Sequence, residues 1–184
     1  IVGFTAMAAQ LAPSELMGVL NELFGKFDQI AEHLQLYKVE TIGDAYMVVA
    51  GLPWLDCPMR PADALVEMAL QMQRACAAVR RPDNGEPLRI RVGLHSGPVS
   101  AGTLGLKMPH YCFFGDAVNT AARMCSYSQP GRINVSPTTA EYLVGAYEMT
   151  ARGERHIKGK GMMATYFLDR RLAQRDRAAA ELLA

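Results

Sequence analysis

Residues 37 to 49 read YKVETIGDAYMVV, the clearest hairpin pattern in the chain. Two runs rich in β-branched and aromatic residues, Tyr37 to Ile42 and Ala45 to Val49, are separated by only Gly43-Asp44. A connection of two residues that begins with glycine is typical of a type II′ β-turn between antiparallel strands. The stretch therefore predicts a β-hairpin with Asp44 in its turn.

Helical periodicity is visible on both sides of this hairpin. Pro13-Ser14-Glu15 supplies helix-start chemistry, and apolar residues then recur at helical spacing from Leu16 to Leu34. Further helices are predicted from Ala64 to Val79, from Gly115-Asp116 to before Gln129-Pro130-Gly131, after Ser136-Pro137, and from Leu172 to Ala184. The Ile1 to Thr5 segment is interpreted as the end of a strand that leads into the first helix.

The remaining strand signals lie in the second half. Leu88 to Leu94 alternates polar and apolar residues, and we expect Ser96-Gly97-Pro98 to turn it into Val99-Ser100-Ala101 as a second hairpin-like unit. Further strands are predicted at Tyr111 to Phe114, Arg132 to Val135 and Met163 to Leu168. This order of elements indicates an α+β domain with one mainly antiparallel sheet flanked by helices.

Composition excludes several classes of protein. The 184 residues are 50% hydrophobic and carry a formal charge of +1, so no global field draws the chain to nucleic acid or to a membrane surface. No apolar run approaches the roughly 20 residues that span a bilayer. Cys57, Cys76, Cys112 and Cys125 lack CxxC spacing, which favours reduced thiols and a cytoplasmic location. Because the chain opens at Ile1 without an initiator Met, we expect it to be part of a longer protein.

Familiar catalytic signatures are absent from the sequence, which contains no GxxxxGK[ST], GxGxxG, HExxH or GxSxG. A P-loop kinase and a serine hydrolase are therefore disfavoured. His95 beside Ser96 suggests a base and a nucleophile, but its apolar strand fits a hydrogen-bonded core histidine better.

Several polar residues are ambiguous when each is taken alone. Asp44 is compatible with ordinary turn chemistry. Asn119 and Arg123 lie four apart on a predicted helix and share a face, which could hold a phosphate oxygen or simply be solvated. Lys158 and Lys160 form a basic loop, a weak indication of phosphate binding.

Taken in order, these segments resemble the class III nucleotidyl cyclases in their guanylyl cyclase form. The matching segments are Ile1 to Thr5, Lys38 to Met47, Arg91 to Gly97, Tyr111 to Met124 and Lys158 to Gly161. The resemblance implies a ferredoxin-like class III cyclase core. It places the catalytic domain over residues 1–169, with its N-terminal strand missing, and a C-terminal helical tail over residues 170–184.

The resemblance further implies a head-to-tail dimer that converts GTP to 3′,5′-cyclic GMP and pyrophosphate at its interface. Asp44 and the backbone carbonyl of Ile1 would bind two Mg²⁺ or Mn²⁺ ions, together with a second Asp that precedes Ile1 in the family. The backbone N–H groups of Gly3, Phe4 and Thr5 would cradle the β and γ phosphates.

By the same resemblance, Asn119 of the partner chain would position the ribose and Arg123 would stabilise charge on the α-phosphate. Lys158, with Lys160 as neighbour, would grip the terminal phosphates with help from Arg91 of the metal-bearing chain.

The resemblance also places Glu40 and Cys112 at the positions that read the base. A carboxylate at Glu40 can accept from guanine N1–H and N2–H₂, and a thiol at Cys112 can donate to O6. This hydrogen-bond inventory favours GTP over ATP.

Two alternatives remain open, and a third is disfavoured. The chain could be an adenylyl cyclase of the same fold, or an inactive module that dimerises and binds nucleotide. A ferredoxin-like domain that binds nucleic acid would need exposed aromatics and a basic face, which the sequence does not offer. A homodimer would carry two equivalent sites, and a heterodimer is also compatible with the sequence.

Overall fold

The computed structural model describes residues 1–105, 107 and 110–173. The chain divides into two compact units, Ile1–Ile90 and Arg91–Ala184. In the first unit the elements are α1 (Phe4–Ala8), α2 (Pro13–His33), β1 (Tyr37–Ile42), β2 (Ala45–Val49) and α3 (Pro61–Ala78). In the second they are β3 (Val92–Leu94), β4 (Ser100–Leu104), β5 (His110–Phe114), α4 (Asp116–Ser126), β6 (Ile133–Val135), α5 (Pro137–Leu143), β7 (Tyr147–Ile157) and β8 (Gly161–Arg171).

The first unit is built on α2. Pro13 occupies the first turn, and the Glu15 carboxylate accepts a hydrogen bond from the Ala12 backbone N–H at 3.0 Å, which satisfies a free donor at the helix start. Leu23 and Phe27 are buried on one face of α2, which packs against α3. The helix predicted from this periodicity is confirmed.

The predicted hairpin is also confirmed, with both strands at the expected residues. Gly43 has φ 60° whereas Asp44 does not adopt a positive φ, which is the pattern of a type II′ turn. The ladder pairs Lys38 with Val48 and Glu40 with Met47, so Val39 is an extra residue that forms a β-bulge in β1. The sequence pattern gave no indication of this bulge.

The second unit contains a mixed sheet of four strands in the order β3-β6-β8-β7. β3 runs parallel to β6, and the other two pairings are antiparallel. Gly93 of β3 lies against α4, where a Cβ atom would come within 1.9 Å of the Cys125 backbone nitrogen. The absence of a side chain at Gly93 thus lets the helix approach the sheet closely.

The predicted α+β class with helices flanking the strands is confirmed, whereas one predicted strand pairing is wrong. β3 does not turn back onto β4: it pairs with β6, and β4 pairs with β5 instead. The single predicted sheet is, within the described residues, a four-stranded sheet and two separate two-stranded ladders. Two elements were missed, the short helix α1, which begins at Phe4 where a strand end was expected, and the edge strand β7.

The last strand extends past residue 169, where the sequence analysis placed the start of a C-terminal tail. Arg170 and Arg171 continue β8, and Arg170 pairs with Glu148 across the ladder, so the strand crosses the predicted 169/170 boundary. The helix predicted from Leu172 falls almost entirely on residues 174–184, which lie outside the described residues. Within the described part of the chain, no helix is long and apolar enough to cross a membrane.

Candidate active site

The β1–β2 turn brings two predicted metal ligands together. The Asp44 carboxylate Oδ2 lies 3.1 Å from the backbone nitrogen of Ile1, and 37% of the Asp44 side chain is exposed. Val2 is fixed beside it by a hydrogen bond from its N–H to the Arg89 carbonyl, at 2.8 Å. Ile1 and Asp44 are therefore neighbours in the first unit, in contact through the Ile1 nitrogen, whereas the predicted metal ligand is the Ile1 carbonyl.

The chemistry of this pair suits a hard divalent cation. A carboxylate and a backbone carbonyl both offer oxygen ligands, which Mg²⁺ and Mn²⁺ prefer. No group of three or more His, Cys, Asp or Glu side chains is arranged to hold a metal among residues 1–105, 107 and 110–173. Asp44 therefore supplies one carboxylate ligand, and a complete metal site needs further ligands.

The segment predicted to bind phosphate begins α1. Gly3 is the N-cap residue with φ 69°, a left-handed conformation that glycine adopts without strain, and no side chain caps the helix. The N–H groups of a first helical turn have no intrahelical acceptor, so those of Phe4 and Thr5 can serve an anion.

Arg81 is a residue near this segment that the sequence did not indicate. Its Nε and Nη2 atoms donate to the two carboxylate oxygens of Asp83, at 2.9 and 2.6 Å. Its Nη1 atom is 3.3 Å from the position of a Cβ built on Gly3. Hydrogen bonding to Asp83 raises the pKa of Arg81, so a fixed cation stands beside Gly3.

Glu40 points away from the face of the hairpin that carries Lys38. Paired residues on antiparallel strands share a face, and successive residues alternate. Lys38 pairs with Val48 and Thr41 with Tyr46, which places these four on one face, whereas the pair of Glu40 and Met47 lies on the other. Glu40 is exposed, as a residue that reads a substrate must be.

Cys112 lies in β5 of the second unit, opposite Gly102. Cys112 is of intermediate burial, as are Cys57 and Cys125, while Cys76 is buried. None of the four cysteines forms a disulfide in the structure. Gly102, the cross-strand partner of Cys112, carries no side chain, so it leaves space beside the Cys112 side chain on that face of the ladder.

Helix α4 carries the predicted catalytic pair. Ala117, Thr120 and Met124 are buried on one side, while Asn119 is exposed and Arg123 is of intermediate exposure. Within the described part of the chain, neither the Asn119 side-chain amide nor the Arg123 guanidinium has a hydrogen-bond or ion-pair partner, although the Arg123 carbonyl accepts from Ser126. The helix therefore presents an amide and a guanidinium one turn apart, both available to a ligand.

The basic turn joins β7 to β8. Lys158 is exposed, and its backbone N–H donates to the Tyr127 hydroxyl at 3.3 Å, which ties the turn to the end of α4. Lys160 instead forms an ion pair with Asp116 at the start of α4. The two lysines therefore differ, because only Lys158 projects from the turn without an acidic partner in the described residues.

Arg91 is exposed just before β3, and its carbonyl accepts a hydrogen bond from the Cys125 thiol at 3.3 Å. It belongs to the second unit, as do Cys112, Asn119, Arg123, Lys158 and Lys160, whereas Ile1, Gly3, Phe4, Thr5, Glu40 and Asp44 belong to the first. The predicted site residues are thus divided between the two units.

Residues 1–170 match the family model described as the adenylate and guanylate cyclase catalytic domain. The chain belongs to this family. Atrial natriuretic peptide receptor 2 of Homo sapiens is 48% identical over 171 residues, which cover 91% of this chain and 16% of that protein. Guanylate cyclase soluble subunit beta-2 of Rattus norvegicus is 46% identical over 170 residues, covering 91% and 24%. The cyclase domain therefore spans under a quarter of the length of these relatives.

Solved cyclase structures share its fold. The guanylate cyclase domain of RhGC from Catenaria anguillulae, solved with GTP, is 40% identical with a TM-score of 0.87, covering 94% of this chain and 93% of that one. The adenylyl cyclase CyaB from P. aeruginosa is 26% identical with a TM-score of 0.84, covering 95% and 91%. The predicted class III cyclase fold is confirmed.

A buried polar network holds the end of α4 in the cyclase domain. Asn134, which is fully buried, donates to the Met124 carbonyl at 2.9 Å. Arg152 donates through Nη1 to the Asn134 side-chain oxygen and to the Tyr127 carbonyl, both at 2.9 Å, and its guanidinium stacks on Phe167 with 4.0 Å to the ring centroid. Burial lowers the pKa of Arg152. These contacts fix α4 to the sheet, and the sequence alone did not indicate them.

His95 is a hydrogen-bonded, half-buried histidine, as the sequence favoured. Its Nδ1 atom lies 2.7 Å from the Ser136 hydroxyl, whereas the neighbouring Ser96 hydroxyl accepts from Thr139 at 3.0 Å. Burial and the charge of Lys160 lower the pKa of His95, with Asp116 acting in the opposite direction. Ser96 and His95 therefore do not form a nucleophile and base pair.

Proposed function

We propose that this cyclase domain converts GTP to 3′,5′-cyclic GMP and pyrophosphate. The observation that carries the proposal is that Glu40 lies exposed on one face of the hairpin, where its carboxylate is proposed to read the base together with the Cys112 thiol. Adenine would present its N1 lone pair to the Glu40 carboxylate and leave that carboxylate without the donors that guanine offers, which disfavours ATP.

The reaction joins the ribose 3′ oxygen to the α-phosphorus. The bond from that phosphorus to the bridging oxygen breaks, pyrophosphate leaves with the oxygen, and the 3′-hydroxyl proton is released. No covalent intermediate with the protein is required, so positioning and electrostatic stabilisation supply most of the catalysis.

Each site is proposed to combine residues of two chains, as the resemblance to head-to-tail cyclase dimers implies. Asp44, Ile1 and the Gly3, Phe4 and Thr5 amides form one group, to which Arg91 of the same chain contributes. Asn119, Arg123 and Lys158 of a second copy complete the site, with Asn119 on the ribose and Arg123 on the α-phosphate. A homodimer would then have two equivalent sites, and a heterodimer would need a complementary partner.

Metal ions are proposed at Asp44 and the Ile1 carbonyl, with a further Asp that the family places before Ile1. Two bound Mg²⁺ or Mn²⁺ ions would lower the pKa of the 3′-hydroxyl and neutralise charge on the leaving pyrophosphate. Lys158 is expected to contact the terminal phosphates directly. Lys160 would contribute less than Lys158, since Asp116 already neutralises it.

The cellular compartment and the end of the catalytic domain are also proposed. We place the domain in the cytosol, which the absence of disulfides among its four cysteines supports. We propose no direct contact with a membrane or with nucleic acid, which the net charge of +1 supports. The catalytic domain is proposed to extend through Arg171, where β8 ends.

The proposal is tested by incubating the full-length protein with Mn²⁺ and either GTP or ATP and quantifying both cyclic nucleotides. We expect cyclic GMP in large excess, and we expect Glu40→Lys combined with Cys112→Asp to shift the preference toward ATP. A rhodopsin-guanylyl cyclase core with converted specificity, 38% identical and solved with ATPαS, supports the feasibility of such a change. Cyclic AMP from ATP alone would establish the adenylyl alternative, and a confirmed dimer without product would establish the inactive module.

A further inference from the structure

Three polar side chains join the hairpin to helix α2. The Asp28 carboxylate accepts a hydrogen bond from the Tyr46 hydroxyl at 2.5 Å and one from the Lys38 ammonium at 2.9 Å. The Lys38 ammonium also stands over the Tyr46 ring, 5.2 Å from its centroid. We call Asp28, Lys38 and Tyr46 the Asp28 latch. It connects both strands of the hairpin to one residue of the helix.

The latch sits on an aromatic base that holds β2 against α2. The Tyr46 ring contacts Phe27 edge-on at 5.4 Å between centroids and Phe24 in a tilted arrangement at 5.6 Å. Burial and the Asp28 carboxylate raise the pKa of the Tyr46 hydroxyl, so it remains a donor at any physiological pH. The Tyr46 ring and its hydroxyl thus make separable contacts, one apolar and one polar.

The latch residue Lys38 lies directly before the bulge that determines which face of β1 Glu40 occupies. Lys38 and Glu40 are two residues apart, so in a regular strand both would lie on the latch face. The bulge at Val39 adds one residue between them and sends Glu40 to the opposite face. Lys38 is held by Asp28, and the bulge that follows Lys38 places Glu40 on the opposite face of the hairpin.

We propose that Asp28, Lys38 and Tyr46 are positioning residues that, through the Val39 bulge, orient Glu40 to read guanine. The inference rests on the proposed function, because it assigns a cause to the base preference of that site. It names a role for residues that touch neither base nor phosphate.

A purely stabilising role for the latch is the competing explanation. Lys38 and Asp28 are 38% and 47% exposed, and ion pairs at such positions contribute little to folding because water and salt screen them. A small rotation of β1, in contrast, displaces the Glu40 carboxylate from two hydrogen bonds at once. Base discrimination should therefore be far more sensitive to the latch than stability is.

The test compares Tyr46→Phe, Lys38→Met and Asp28→Ala with wild type in the full-length protein. Tyr46→Phe keeps the ring contacts, and Asp28→Ala keeps a strong helix-forming residue. Lys38→Arg should restore the ion pair that Lys38→Met removes. Lys26→Gln is the matched control, because Lys26 pairs with Glu22 on the surface of the same helix and makes no hairpin ion pair.

The decisive readout is the ratio of kcat/KM for GTP to that for ATP, in which the fraction of folded enzyme cancels. We expect this ratio to fall roughly tenfold or more in the three latch variants, to recover in Lys38→Arg, and to stay at the wild-type value in Lys26→Gln. Binding of non-cyclisable GTP and ATP analogues in Ca²⁺ should show the same loss of preference without turnover.

The outcomes separate this inference from the proposed function. If wild type prefers GTP and the latch variants keep that preference while only their melting temperatures change, the latch is structural and the inference is wrong. If wild type itself shows no preference for GTP in turnover or binding, both the proposed function and the inference are overturned.

Discussion

Gly93→Ala is the substitution that most directly probes how α4 is placed. A Cβ on Gly93 would lie 1.9 Å from the Cys125 nitrogen, 2.4 Å from the Met124 carbonyl carbon and 2.5 Å from the Cys125 Cα. All three are backbone atoms, so no side-chain rotation can relieve the clash. Ordinary contact begins near 3.4 Å, and the helix must therefore move by about 1.5 Å.

This displacement acts on catalysis because α4 carries Asn119 and Arg123. A misplacement of about 1 Å in a positioning element can reduce turnover roughly 100-fold, so we expect kcat to fall by at least about that factor. Overpacking should also lower the free energy of unfolding by about 1–3 kcal/mol. KM for GTP should change less than kcat, since Arg123 is proposed to act chiefly in the transition state.

The assay measures initial rates of cyclic GMP formation with Mn²⁺ and GTP, with each protein's folded fraction determined by near-ultraviolet circular dichroism. Gly18→Ala is the matched control, because nothing lies within 4 Å of a Cβ at Gly18 and this residue is helical. Wild-type kcat and melting temperature in Gly93→Ala would refute the reasoning that this contact positions the helix.

The remaining predictions concern pH, buried polarity and phosphate contacts. Because the pKa of His95 is lowered in the folded state, the unfolded chain takes up this proton at a higher pH than the folded chain does. The free energy of unfolding should therefore decrease as pH falls below about 6.5, the ordinary pKa of histidine. His95→Gln should flatten this dependence in thermal unfolding measured from pH 8 to 5.5. Asn134→Ala should cost about 2 kcal/mol in urea unfolding, because Arg152 and the Met124 carbonyl lose a buried partner, whereas Asn84→Ala at an exposed turn should not. Lys158→Ala should raise KM for GTP more than Lys160→Ala does in steady-state kinetics.

Local patterns predicted the elements whose stabilising contacts are near in sequence. The β1–β2 hairpin and α2 carry their turn and cap chemistry within a few residues, and both were predicted with the observed bounds or close to them. β7 was missed because most of its residues are exposed and polar, as suits an edge strand, so it lacks the alternation that marks a half-buried one.

Elements that depend on partners distant in sequence could not be predicted from local patterns. β3 pairs with β6, about forty residues further on, and no property of Ser96-Gly97-Pro98 reveals that choice. The Val39 bulge and the Arg152 network likewise arise only when strands and helices meet. The individual site residues were predicted from the resemblance of the motifs, whereas Arg81 and the Asp28 latch are visible only in the structure.

One active site is proposed to combine Asp44 of one chain with Arg123 of another. This proposal is tested by mixing full-length Asp44→Asn and Arg123→Ala proteins, refolded together so that subunits exchange, and measuring cyclic GMP from GTP. Each variant alone should be inactive, and the mixture should recover about a quarter of wild-type activity, since half of the dimers are mixed and each has one intact site. A mixture as inactive as its components, with mixed dimers confirmed by mass spectrometry, would contradict the account.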